Sequence, residues 1–142
     1  MEFKDFDKKT QDDITALVKE YLVIAQNVIQ KEKFIAPTLT IKINNQQDEI
    51  ISLATDDDDL DEAFDLAVEK LKQTDFACAR LVFTTQILSR NGGIANAIKT
   101  FVFVKGGAML TFVAPYVIKG LFSKKVFIGD TILEDITENI FD

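Results

Sequence analysis

Residues 98–118, IKTFVFVKGGAMLTFVAPYVI, decide the fold class. Two runs rich in β-branched and aromatic residues flank Gly106-Gly107, and paired glycines supply the positive φ angles that a tight two-residue hairpin turn demands. The stretch therefore reads as an antiparallel hairpin. A two-residue loop sets Lys105 opposite Ala108, Phe103 opposite Leu110 and Phe101 opposite Phe112, with Val102, Val104, Met109, Thr111 and Val113 on the other side. Both sides are then largely apolar. Each needs a cover: helices on one, and a terminal segment, a ligand or another molecule on the other.

Upstream of the hairpin, Ile14, Leu17, Val18, Tyr21, Leu22, Ala25, Val28 and Ile29 recur at the 3.6-residue period of a helix with one buried stripe. Thr10 or Asp12 caps this helix after an N-terminal tail over residues 1–9, and Pro37 ends it, because the residue before proline is driven out of helical dihedrals. Residues 38–43 and 49–53 alternate as two strands around the polar turn Asn44 to Asp48, with Thr40 and Lys42 on a wet face. The acidic run Asp56 to Asp59 opens a second helix whose stripe is Leu60, Ala63, Phe64, Ala67, Val68 and Leu71. A long strand spans Cys78 to Leu88, and Ser89 to Gly93 loops back to the hairpin. Beyond Pro115 come a loop at Lys119 to Lys125, a short strand at Val126 to Ile128, and a terminal helical turn. Thr131 and Glu134 have capping-box spacing there, with Ile132, Leu133, Ile136 and Ile140 inward. This order predicts a single α+β domain over residues 1–142: a two-layer sandwich with a mainly antiparallel sheet of about five strands, covered on one face by two main helices.

Charge is segregated along the chain. The net charge is -7, but residues 1–75 carry 18 acidic and 9 basic side chains, whereas residues 76–142 carry 5 and 7. An acidic chain with two arginines is ill suited to phosphate-backbone binding, so no nucleic-acid partner is expected. The greasiest stretch is broken by Lys105 and the glycines, well short of the roughly 20 apolar residues of a span. No membrane partner and no secretory leader are read, and the single Cys78 fits a reducing, cytoplasmic location.

Histidine is absent, which removes Ser-His-Asp and Cys-His catalysis and histidine-ligated zinc together. Cys78 sits inside an apolar strand and reads as a structural thiol. No catalytic residue, cofactor or metal site is assigned. The aspartate run lacks the glycine and ligand spacing of an EF-hand, and carboxylates at a helix N-terminus already have a capping role.

What remains is binding. Arg80 and Arg90, with Gln86 and Tyr116, are candidates for holding an anion or an acidic ligand in an apolar pocket, since a guanidinium fork matches a carboxylate or phosphate. Asp58, Asp61, Asp65 and Glu69 form an acidic helix face suited to a basic protein, as in an immunity-type inhibitor. Phe101, Val102, Phe103, Val104, Met109, Leu110, Phe112 and Val113 are the expected homodimer surface, a two-fold pairing of hairpins. The reading is a non-enzymatic, self-associating interaction or regulatory domain; a small ligand-binding domain or enzyme and an acidic inhibitor are the alternatives.

Overall fold

In the computed structural model, which describes residues 1–54, 59–89 and 91–142, helix α1 runs Lys8–Glu32, strands β1 and β2 cover Thr38–Lys42 and Glu49–Ser52, and helix α2 covers Leu60–Lys72. Strands β3, β4 and β5 follow at Cys78–Leu88, Ile94–Val104 and Ala108–Lys119, then β6 at Lys125–Ile128 and β7 at Ile132–Thr137. All pair antiparallel in the order β2-β1-β3-β4-β5-β6, and β7 also pairs with β5. The fold is thus α+β, an antiparallel sheet with two main helices packed against it. Among the described residues it has seven strands, where about five were expected.

Both helices start on an aspartate. Asp7, rather than Thr10 or Asp12, caps α1 by accepting from the Thr10 backbone N–H at 2.7 Å, so the tail before α1 is shorter than expected and folds as a 3₁₀ turn at Phe3–Asp5. Asp59 caps α2 by accepting from the backbone N–H groups of Asp61 and Glu62, which satisfies donors orphaned at a helix start.

The central hairpin differs from expectation by one residue. Val104 pairs with Ala108, Phe103 with Met109 and Val102 with Leu110, leaving a three-residue loop of Lys105, Gly106 and Gly107. Both glycines lie at positive φ, and the Gly107 N–H donates to the Val104 carbonyl. A one-residue slip exchanges the faces of a whole strand. Leu110 and Phe112 therefore join Val102 and Val104, while Met109 and Val113 join Phe101 and Phe103.

Each of these faces has its own helix. Ile14, Leu17 and Val18 of α1 pack on Cys78, Val102, Val104 and Leu110, and Tyr21, Ala25 and Ile29 pack on Val82, Ile98, Ala114 and Tyr116. Ala67 and Leu71 of α2 pack on the opposite face with Leu39, Leu81, Phe83 and Phe103, and Ile140 and Phe141 complete that cover. The helices thus lie on opposite faces rather than sharing one. An apolar stripe shows that a helix is covered on one side, but not which side of the sheet it meets.

The C-terminal segment is a strand, not a helical turn. Ile132, Ile136 and Thr137 are β-branched, and the outer edge of β5 offers an open ladder at Met109 to Val113. Pro115 sits inside β5 without harm. The Gly129 N–H donates to its carbonyl at 2.7 Å, placing its missing donor at the outer edge, where β7 pairing has ended and β6 pairing has yet to begin.

Candidate functional site

Arg80 is structural in its surroundings. Only 4% exposed, it donates from Nη1 to the Leu17 carbonyl at 2.8 Å and from Nη2 to Thr40 Oγ1 at 3.2 Å, and its guanidinium carbon stands 4.6 Å from the Tyr21 ring centroid. Nε is buried without a partner. Burial lowers the Arg80 pKa, with Glu20, Tyr21 and Asp48 acting in the opposite sense. Thr40 is itself buried, so the face expected to be wet is the polar lining beneath α1. At its rim Lys42 donates to Asp48 at 2.6 Å and lies 3.8 Å from Glu20, and the Asp48 hydrogen bond raises the Lys42 pKa.

The other proposed ligand residues do not converge on Arg80. Gln86 is exposed and six residues further along β3, roughly 20 Å at strand rise. Tyr116 is buried in the α1 interface, where burial raises its pKa against a hydrogen bond with Thr84. Arg90 lies outside the described residues, as do Asp56, Asp57 and Asp58. An arginine-anchored pocket therefore does not form from Arg80, Gln86 and Tyr116. Cys78, at the start of β3, is buried beneath α1, and desolvation pushes its thiol up to about 11. Among the described residues no group of three or more His, Cys, Asp or Glu side chains is arranged to hold a metal ion.

The expected dimer surface is interior. Val102, Phe103, Val104, Met109, Leu110 and Val113 are all buried within the chain, and Phe101 and Phe112 are partly buried against α2 and α1 clusters. The premise of a bare hairpin face is gone, because α2 with Ile140 and Phe141 covers the side that had lacked one. Asp61, Asp65 and Glu69 do present an exposed acidic face on α2.

The exposed apolar surface is elsewhere. In the loop between β5 and β6, Leu121 is 93% exposed and Phe122 fully so. Lys119 and Lys125 face each other across the hairpin base, and Lys124 is also exposed. Among the described residues none of these three lysines has a carboxylate within ion-pair distance. Val117 and Phe127, a cross-strand pair just below, are about half exposed. At the same end of the sheet, Leu88 and Ile94 pair across the β3–β4 tip, both exposed.

That end is held in place from beneath. Gln26 Nε2 donates to the Val126 carbonyl at 2.9 Å, and Gln30 Nε2 donates to the Lys124 carbonyl, so α1 satisfies part of an edge strand that would otherwise be open. Gly120 has φ +133, and a Cβ there would collide with the Ser123 carbonyl. The tip is a defined turn with a glycine requirement. The sequence marks this region by charge: residues 76–129 contain no acidic side chain, against seven basic ones.

A second feature is a cavity of about 370 Å³ between α1 and the β5–β7 edge, lined by Phe3, Val18, Leu22, Phe112 and Leu133, with Thr15, Lys19 and Thr131 as polar members. Thr131 Oγ1 is buried with no hydrogen-bond partner. Among the described residues no helix is long and apolar enough to cross a membrane. No protein family, curated protein or solved structure gives a match to this chain.

Proposed function

We propose that the protein is a non-enzymatic interaction domain whose contact surface is the β5–β6 end. The observation that carries this reading is the near-complete exposure of Leu121 and the full exposure of Phe122 on a turn fixed by Gly120 and by two glutamine contacts from α1. Single exposed apolar residues are ordinary, but adjacent ones on a rigid projection cost solubility without adding to the core, and such residues supply the anchors of interfaces. The acidic face of α2 is the competing surface. A photo-crosslinking amino acid at position 122 in cells expressing the protein should give adducts, and the same group at Asp65 should give few. Equal labelling at both positions, or none at 122, would remove the β5–β6 end from this role.

A second reading is supported by the unpartnered Thr131 hydroxyl in the apolar cavity under α1. Its volume falls within the roughly 300–1,000 Å³ of small-molecule sites, and Lys19 lies where an acid group would meet a cation. Native mass spectrometry of protein purified from its host should then show a bound small apolar acid that Val18→Trp displaces; an empty wild-type protein at saturating medium-chain fatty acid would end this reading.

A further inference from the structure

We propose that the β5–β6 end docks on an anionic lipid surface, with Leu121 and Phe122 entering the boundary between headgroups and acyl chains and Lys119, Lys124 and Lys125 lying among the acidic headgroups. This rests on the β5–β6 end being the contact surface and names what it contacts.

The charge pattern singles out the partner. Lys119 and Lys125 are directly opposed across the hairpin, an arrangement that destabilises an isolated sheet. Lys124 adds a third positive charge, and no carboxylate among the described residues pairs with any of them. In a chain of net charge -7 these are cations left over by the fold. An anionic surface relieves all of them at once.

The shape agrees. A tip two residues long reaches about 7 Å beyond its strands, comparable to the 5–10 Å over which interfacial segments enter the headgroup boundary. A protein partner would need a pocket matched to Leu121 and Phe122, whereas a fluid surface accepts such a knob without one. A second copy fits less well. Basic tips repel one another across a two-fold axis, and a basic tip on another copy's acidic helix makes a head-to-tail contact that builds chains rather than a closed dimer.

Neither the acidic face of α2 nor Glu32 opposes the approach. The apolar side of α2 packs on β1, β3 and β4 and on Met109 at the far end of β5, while its acidic face points to solvent, and the width of β5 separates β4 from β6. That is roughly 10 Å or more at strand spacing, beyond the ~8 Å screening length at physiological salt. Glu32, at the end of α1 that packs on β6, is flanked by Lys31 and Lys33. From the sequence no membrane partner is expected, on the ground that no spanning segment is present. Attachment from one side needs none.

The chain contains no tryptophan, so Phe122→Trp places a single reporter at the tip. Its emission should shift to the blue with vesicles of phosphatidylcholine containing about 30% phosphatidylserine, and return as salt rises to about 0.5 M, where surface charge is screened. Leu66→Trp, on the exposed side of α2, should not shift. In vesicle pelleting, converting Lys119, Lys124 and Lys125 together to glutamine should weaken binding about 100-fold, at about fivefold per lysine. Leu121→Asp with Phe122→Asp should abolish pelleting while leaving the circular dichroism unchanged.

No shift with anionic vesicles, an equal shift with phosphatidylcholine alone, or pelleting indifferent to the lysine substitutions would each overturn the lipid assignment. If vesicles give nothing while the crosslinker at 122 yields a discrete protein adduct, the lipid assignment falls and docking through this end stands. If both give nothing, both fall.

Discussion

Replacing Arg80 by methionine should leave the free energy of unfolding within about 1.5 kcal/mol of wild type, although this removes a nearly inaccessible charge from the centre of the domain. Two charge-assisted hydrogen bonds, to the Leu17 carbonyl and to Thr40, contribute about 1.5–3 kcal/mol each, and the placement over Tyr21 about 2. Against them stand a desolvation penalty of several kcal/mol for the guanidinium and about 1–3 kcal/mol for the unpartnered Nε. The two sides nearly cancel, and methionine deletes both while keeping most of the volume. Alanine keeps neither and should cost about 2–4 kcal/mol. Thr40→Val completes a double-mutant cycle: it should cost about 1–2 kcal/mol in the wild type, where it strands Nη2, and nothing in the methionine background, where it removes a hydroxyl with no donor. Urea denaturation with linear extrapolation measures all four proteins. A loss above about 3 kcal/mol in Arg80→Met, or a coupling of zero, would refute this account and make the guanidinium a net stabilising group.

Gly107→Ala should destabilise by about 1–3 kcal/mol, because φ is +102 there and a Cβ would also sit 3.5 Å from the Asn139 Cα; a melting temperature unchanged within error would contradict the observed turn. Cys78 should react with a thiol reagent at pH 8 only on unfolding, since burial holds it neutral up to about 11. Its folded pKa lies above the ordinary 9.0, so the folded state holds this proton more tightly and stability falls as pH rises between those values; Cys78→Ala should lose that slope. Lys42 acts in the same alkaline direction for a different reason: its pKa is raised by Asp48, so its contribution is complete below the unfolded lysine value of about 10.4 and disappears as pH rises through the folded one. Lys42→Gln should flatten that limb of the stability curve, and an unchanged limb would count against the Lys42–Asp48 bond.

Local chemistry made much of the fold legible. The bounds of β3, the β1–β2 hairpin and the opening of α2 by the Asp56 to Asp59 run all follow from alternation, turn residues and capping. The central hairpin was legible as a hairpin but not in register, because Lys105-Gly106-Gly107 serves a two-residue or a three-residue loop equally well. That residue decides which side chains of β5 meet α1 and which meet α2. It is fixed by cross-strand pairing that no local pattern contains. The terminal strand was missed for a similar reason: Thr131 and Glu134 satisfy a helix-start spacing, and only the free edge of β5 outweighs it.

The proposed contact end was not legible because periodicity finds cores, and Leu121-Phe122 belong to none. Yet the signal was present in charge rather than in hydropathy. Residues 76–129 exclude every acidic side chain. Burial accounts for that inside β3, β4 and β5, where an unpaired carboxylate would be costly. It does not account for the solvent-facing turns, where either sign is tolerated and, among the described residues, lysine is the charged side chain that occurs. Lys105 is accounted for by its 3.0 Å pair with Asp75. Lys119, Lys124 and Lys125 have no such pair among the described residues, and two of them face each other. A fold selected for stability alone gains by placing a glutamate at position 119 or 125, where a cross-strand pair contributes about 0.2–1 kcal/mol. Lys119→Glu should therefore stabilise the isolated protein by a few tenths of a kcal/mol in denaturation while weakening its attachment to anionic vesicles. If the substitution leaves both unchanged, the opposed lysines have neither the strain nor the partner assigned to them.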